Sequence, residues 1–179
     1  MTYWVRVENN QSVEVRDTDP AGFFPETYEW VEIPEALEQY VPWCYFTRAD
    51  ANSTLAPDLD DLKEKVRVFV RQTRWEAESR QVTHGGRDFS VWREHRHLMS
   101  EYIAHAQETS TLPAFKLLNG VWWTPANIEE VTGAYSAILA RVAELFAAEA
   151  TAVSSINSAT TAIEVMNAKA TAETIFDLP

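Results

Sequence analysis

The stretch FAAEATAVSSINSATTAIEVMNA, Phe146 to Ala168, decides the fold, because it reads either as one continuous rod or as a helix that stops and restarts. Upstream of it Ile128, Val131, Tyr135, Ile138, Val142 and Leu145 step by 3, 4, 3, 4, 3, a heptad seam along one helix face. The same steps continue through Glu149, Ala152, Ile156, Ala159, Ile163 and Met166, where a charge and two alanines thin the seam. Thr161 followed three residues later by Glu164 is a capping box, which starts a new helix. The spacing therefore predicts a long amphipathic helix over 125–158, a corner, and a short return helix over 162–170. At about 1.5 Å per residue the long helix measures roughly 50 Å. Its start is placed by Thr124 at the N-cap, Pro125 at the first helical position, and Glu129 and Glu130 near the positive end of the helix dipole.

Working towards the N-terminus, Asn119-Gly120 inside FKLLNGVWW (115–123) is the strongest short hairpin signal in the chain. Ser90 offers a cap for a helix over 90–107, with Val91, Leu98, Tyr102 and either Ile103 or Ala106 as its apolar stripe. Residues 61–89 read as β strands and a turn: Val66, Val68 and Val70 alternate with Arg67, Phe69 and Arg71, and Gly85-Gly86 breaks the run. Residues 48–60, rich in Ala, Pro and Asp, read as a linker. In 1–47, TYWVRV and SVEVRD flank the turn signal ENNQ as a hairpin, and YEWVEI (28–33) and VPWCYF (41–46) are further short strands. Trp4, Trp30 and Trp43 supply the simplest core for this small β region. The predicted fold is α+β: a small N-terminal antiparallel β region (1–47), then a C-terminal helical hairpin domain (90–179) built on one long amphipathic helix.

The totals limit what such a chain does. Its 179 residues, 46% hydrophobic and 12% aromatic, are enough for a packed core. A net charge of −12 argues against a nucleic-acid partner, since phosphates need a basic footprint. That charge is uneven, at −9 over 1–60, +3 over 61–100 and −6 over 101–179. A basic middle between acidic ends marks either a partner surface or internal charge balance. Cys44 is the sole cysteine, so neither an intrachain disulfide nor a cysteine-rich zinc site is expected. The start MTYWVRVENN lacks the pattern of a secretory signal, and no run of 18 apolar residues occurs, so a membrane partner is not expected.

No constellation calls for catalysis. His97, Glu101 and His105 repeat every four residues, which would set two imidazoles and a carboxylate on one helix face. A solvated face with ordinary i,i+4 pairing accounts for them more simply. Asp60-Asp61 and Glu129-Glu130 are adjacent pairs that split in direction, and the second answers the helix dipole. GxSxG, HExxH and a phosphate-binding glycine loop are missing, and HGG at 84–86 has no nucleophile to serve. The sequence reads as non-enzymatic, with no cofactor and no metal. Of Trp122 and Trp123, adjacent on a strand, one is expected in the core and the other exposed. The candidate interface is therefore Trp122, Trp123 and the seam of Ile128, Val131, Tyr135, Ile138, Val142 and Leu145. A self-associating seam would give a dimer or trimer, whereas one covered by the 90–107 helix would leave a monomer or a heterologous partner.

Residues 3–45, with Trp30, Val31 and Pro34 as a W-V-x-x-P step and Trp43 and Tyr45 as an aromatic strand, resemble the small β domain that opens many bacteriophage tail-fibre assembly proteins. Asn9-Asn10 stands where such hairpins usually carry glycine, and Pro42 replaces a usual glycine before the aromatic strand. FKLLNGVWWTPANIEEV, ELFAAEA and INSATTAIEVMNA resemble a C-terminal domain of unknown function in phage tail and tail-fibre-associated proteins. The resemblance implies a phage protein that binds a tail-fibre or baseplate protein, as assembly chaperone in the host cytoplasm or as a subunit of the virion tail. It transfers no functional residue. The rival expectation is a carbohydrate-binding or carbohydrate-active accessory protein using exposed tryptophans.

Overall fold

A computed structural model describes residues 2–25, 27–117 and 119–177 and is α+β. Leu118 of the predicted 115–123 hairpin, and Leu178 and Pro179 at the end of the predicted helical domain, lie outside the described residues, as do Met1 and Glu26. The chain divides into two compact units, Met1–Phe69 with Ser154–Lys169, and Val70–Val153 with Ala170–Pro179.

In the first unit β1 (Trp4–Glu8) and β2 (Gln11–Arg16) form the expected hairpin. Its turn residues Asn9 and Asn10 have φ of 50° and 66°, a conformation asparagine tolerates better than most residues. With β3 (Glu29–Glu32), β4 (Phe46–Thr47) and β5 (Ala56–Pro57) they make an antiparallel sheet ordered β3-β1-β2-β4-β5. The strand expected over 41–46 shrinks to Phe46–Thr47. A 3-10 helix over Glu35–Tyr40 precedes it, and the amides of Trp43 and Cys44 turn back to the Tyr40 carbonyl at 2.8 and 3.1 Å. The core is also not the one expected. Trp4, Trp30 and Trp43 are half-buried, while Val5, Val7, Ile33, Phe46 and Leu62 fill the interior. Branched aliphatics pack the inner face of a short sheet, and the larger indoles lie at its margins. The Phe46 amide donates to Ser12 Oγ at 2.7 Å, tying β4 to β2 where the ladder is shortest. Cys44 is buried, and burial, reinforced by the Asp61 charge, pushes its thiol up to about 12.

The predicted strand over 66–71 is a helix. α1 spans Leu59–Ala77 and is capped by Asp58, whose Oδ1 accepts the amides of Asp60 and Asp61, each at 3.1 Å. Leu62, Val66, Val70 and Ala77 are buried at helical spacing, whereas Val68, which the alternation placed with Val66, is 54% exposed. A local run of three valines imitates period 2, and the apolar residues that restore period 3.6 lie outside it.

In the second unit β6 (Gln81–His84) and β7 (Arg87–Ser90) pair across Gly85-Gly86, both at positive φ. α2 spans Arg93–Thr109 and so starts later than Ser90, whose buried hydroxyl instead accepts the Trp92 amide at 3.2 Å. Met99 and Ala106 are its buried residues, and Leu98, expected in the stripe, is 52% exposed. β8 (Phe115–Lys116) and β9 (Trp122–Trp123) form the hairpin about Gly120, at φ 80°.

α3 runs over Ile128–Ser158, 31 residues and about 46 Å. Its cap is Asn127, whose Oδ1 accepts the Glu130 amide at 3.0 Å while Glu130 reaches back to the Ala126 amide, so Thr124-Pro125 lies before the helix. Length and composition alone would let α3 cross a bilayer. In this fold Val131, Ala134, Ile138, Leu145 and Ala148 on it are buried by the chain's own elements. At Gly133 within it, an added Cβ would lie 3.0 Å from His84 Nε2, so the imidazole would have to give way.

The opening stretch is a corner. α3 ends at Ser158, and α4 (Ala162–Phe176) returns, six residues longer than expected. Thr161 Oγ1 accepts the Glu164 amide at 3.3 Å, and Glu164 Oε2 accepts those of Thr160 and Thr161 at 2.7 and 3.1 Å. Those donors hold the Glu164 carboxyl below the usual carboxylate range. The far end of α4 is fixed by arginines: Arg141 donates to the carbonyls of Ile175 and Phe176, and Arg80 to that of Phe176.

Candidate functional site

Strand alternation sorts the β8–β9 hairpin into two faces. Phe115 stands opposite Trp123 and Lys116 opposite Trp122. Trp123 is 6% exposed, edge-on to Phe89 at 5.4 Å and with the Arg87 guanidinium over its ring at 5.1 Å. Phe115 packs edge-on against Tyr102, whose hydroxyl donates to the Pro113 carbonyl at 2.6 Å and is raised in pKa by burial. The opposite face points outward, with Trp122 66% exposed and Val121 beside it 56% exposed. The loop holding them is closed by the Leu117 amide on the Val121 carbonyl at 2.9 Å, and by the Val121 amide on Asn119 Oδ1 at 3.0 Å.

The heptad seam is not a surface. Val131, Ile138 and Leu145 are buried, and Ile128, Tyr135 and Val142 are half-buried. Phe89, Val91, Met99, Leu117 and Trp123 cover its first part. The candidate interface read from the sequence is corrected accordingly: Trp122 faces out, while Trp123 and the seam form the core that positions it.

Beside the hairpin lies a cleft of about 480 Å³, bounded by β7, α2, β8 and α3. Phe89, Met99, Leu117 and Ile138 form its apolar floor, and exposed Leu98 stands at its side. The polar groups around it are Asp88, Ser90, His95 and Lys116. Two are engaged, because Asp88 accepts the Thr83 hydroxyl at 2.6 Å and Ser90 accepts the Trp92 amide. Lys116 makes no ion pair among the described residues. Such a site offers apolar contact beside an exposed cation, Lys116, with the Asp88 carboxylate half-buried. The sequence held a signal for it that the reading passed over: Lys116 is the one Lys or Arg between Arg96 and Arg141.

A second aromatic feature also escaped the reading. Trp75 and Trp92 meet edge to face at 5.7 Å, and both stay exposed, at 50% and 39%. The histidines form no cluster: His97 pairs with Glu101 at 3.3 Å on an open face, and among the described residues no group of three His, Cys, Asp or Glu is placed to hold a metal ion.

The chain matches no protein-family model, no curated protein sequence and no solved structure.

Proposed function

We propose that this chain is a non-enzymatic protein of bacteriophage tail assembly that holds a tail-fibre or baseplate protein, as a chaperone in the host cytoplasm or as a small subunit of the virion tail. The observation that carries the holding role is Trp122, exposed on a hairpin whose other face is locked into the core, next to an apolar cleft. An indole fixed on a rigid element loses little freedom on binding and makes an effective interface anchor. The phage setting rests on the resemblance of residues 3–45 and of the 115–168 motifs to tail-fibre assembly and tail-associated proteins. Neither nucleic acid nor a lipid surface belongs to this reading. A homo-oligomer would have to use a surface other than the buried part of the seam.

Light scattering of the purified chain with the fibre protein encoded beside it tests the reading. A complex of defined mass supports it, and two independent species count against it. Mass spectrometry of purified particles then separates chaperone from virion subunit. The same exposed indole also favours a carbohydrate-binding alternative. Glycan binding lost in Trp122→Ala, with no fibre complex, would put that alternative in its place.

A further inference from the structure

We infer that the β7–α2–β8 cleft receives a bulky apolar side chain from a partner segment that carries a carboxylate beside it, with Lys116 as the charge partner. The inference rests on the reading that this chain binds a protein, and adds what it recognises. The cleft's volume of about 480 Å³ falls in the range, roughly 300–1,000 Å³, of pockets that bury a compact ligand. Its floor of Phe89, Met99, Leu117 and Ile138 gives an apolar anchor the desolvated contact that makes a hot spot.

The choice of an acidic neighbour follows from which charged group the cleft exposes. Asp88 is half-buried and takes the Thr83 hydroxyl on Oδ1, and Ser90 accepts the Trp92 amide, whereas Lys116 is exposed. Lys116 has no carboxylate partner among the described residues, in a chain with 27 acidic side chains against 15 basic ones. It is also cross-strand from Trp122, so one hairpin face presents an indole and an ammonium together. An apolar residue flanked by acid matches that combination. A base-flanked segment would meet Lys116 with like charge.

The test uses the whole chain and two capped tetrapeptides, leucine and tryptophan flanked by aspartates in one and by lysines in the other. Methyl resonances of Leu98, Met99, Leu117 and Ile138 report on the cleft. The expected result is saturable shifts with the aspartate peptide, at least ten-fold weaker binding in Lys116→Glu, and a preference in that variant for the lysine peptide. Lys116 is exposed, so the variant should keep the wild-type melting curve, and Leu98→Asp provides a second surface change that abolishes binding of both peptides. Equal binding of the two peptides, shifts confined to other residues, or no binding at all overturns the inference. So does concentration-dependent broadening of the same methyls without peptide, which would assign the cleft to a second copy. Fibre protein captured equally well by Lys116→Glu and Leu98→Asp would overturn this inference and leave the proposed function standing. Peptide selectivity without any fibre complex would do the reverse.

Discussion

Arg141, 9% exposed in the middle of α3, donates from Nη2 to the carbonyl oxygen of Ile175 at 3.1 Å, in the last turn of α4. Helix ends leave carbonyls without partners, and a buried guanidinium supplies several donors in a fixed plane. Arg141→Met should lower stability by about 1–2 kcal/mol, because it strips donors from the part-buried Ile175 carbonyl and leaves that of Phe176 to Arg80 alone. Arg141→Lys, with a point charge and a different reach, should recover only part of the loss. Urea unfolding monitored by tryptophan fluorescence gives both values, and an unchanged midpoint in Arg141→Met would remove this role.

The corner between α3 and α4 should carry a pH signature. The Glu164 carboxyl titrates below its usual range in the folded chain because the Thr160 and Thr161 amides donate to its ionised form. A folded value below the unfolded one adds stability above the ordinary carboxylate pKa, roughly 4.3. That increment is lost as the pH falls through the folded value. Glu164→Gln should therefore be less stable than wild type at neutral pH, and the gap should close in acid. Thr161→Ala should cost about 1 kcal/mol at neutral pH through loss of the cap. Urea midpoints at pH 7 and pH 3 decide it; a gap of the same size at both would rule out ionised Glu164 as the cause.

Val66 and Val68 give a direct assay of helix against strand in α1. Val66 is fully buried and Val68 is 54% exposed. Val66→Ala should cost about 1.5–3 kcal/mol, and Val68→Ala should stay within about 0.5 kcal/mol of wild type. Similar losses at both positions would restore the alternating strand.

The two tryptophans of β9 should separate folding from binding. Trp123→Ala should cost about 3–5 kcal/mol, as expected for emptying a buried aromatic site. Trp122→Ala should leave stability within about 0.5 kcal/mol and weaken the fibre complex, read by calorimetric titration. Full-strength binding by Trp122→Ala would move the interface elsewhere.

What the sequence disclosed was the chemistry that acts locally. Thr161 with Glu164, Asn9-Asn10 and Asn119-Gly120 each fix a turn or helix start with their own atoms, and each stands where the reading placed it. The α+β division and the long helix followed from a seam with few competing signals. The misreadings came where a short pattern satisfied two geometries. Val66, Val68 and Val70 alternate within five residues, but Leu62, in the segment read as strands, belongs to the same helix, and Asp58, assigned to the linker, caps it. Thr124-Pro125 has the composition of a helix start, yet Asn127 holds the cap. Of the cleft only the isolated Lys116 was legible, because Leu98, Lys116 and Ile138 become neighbours only through tertiary packing.

Cys44 bears on how the chain can be watched. A lone thiol, buried and held protonated up to about pH 12, should ignore Ellman's reagent at pH 8 and react with one equivalent once the chain is unfolded. Rapid reaction of the folded protein would contradict its burial. The native protein thus has a silent background for thiol labelling. A fluorophore on Trp122→Cys would be its sole reporter, placed on the outward face of the hairpin, where a docking partner would change its emission.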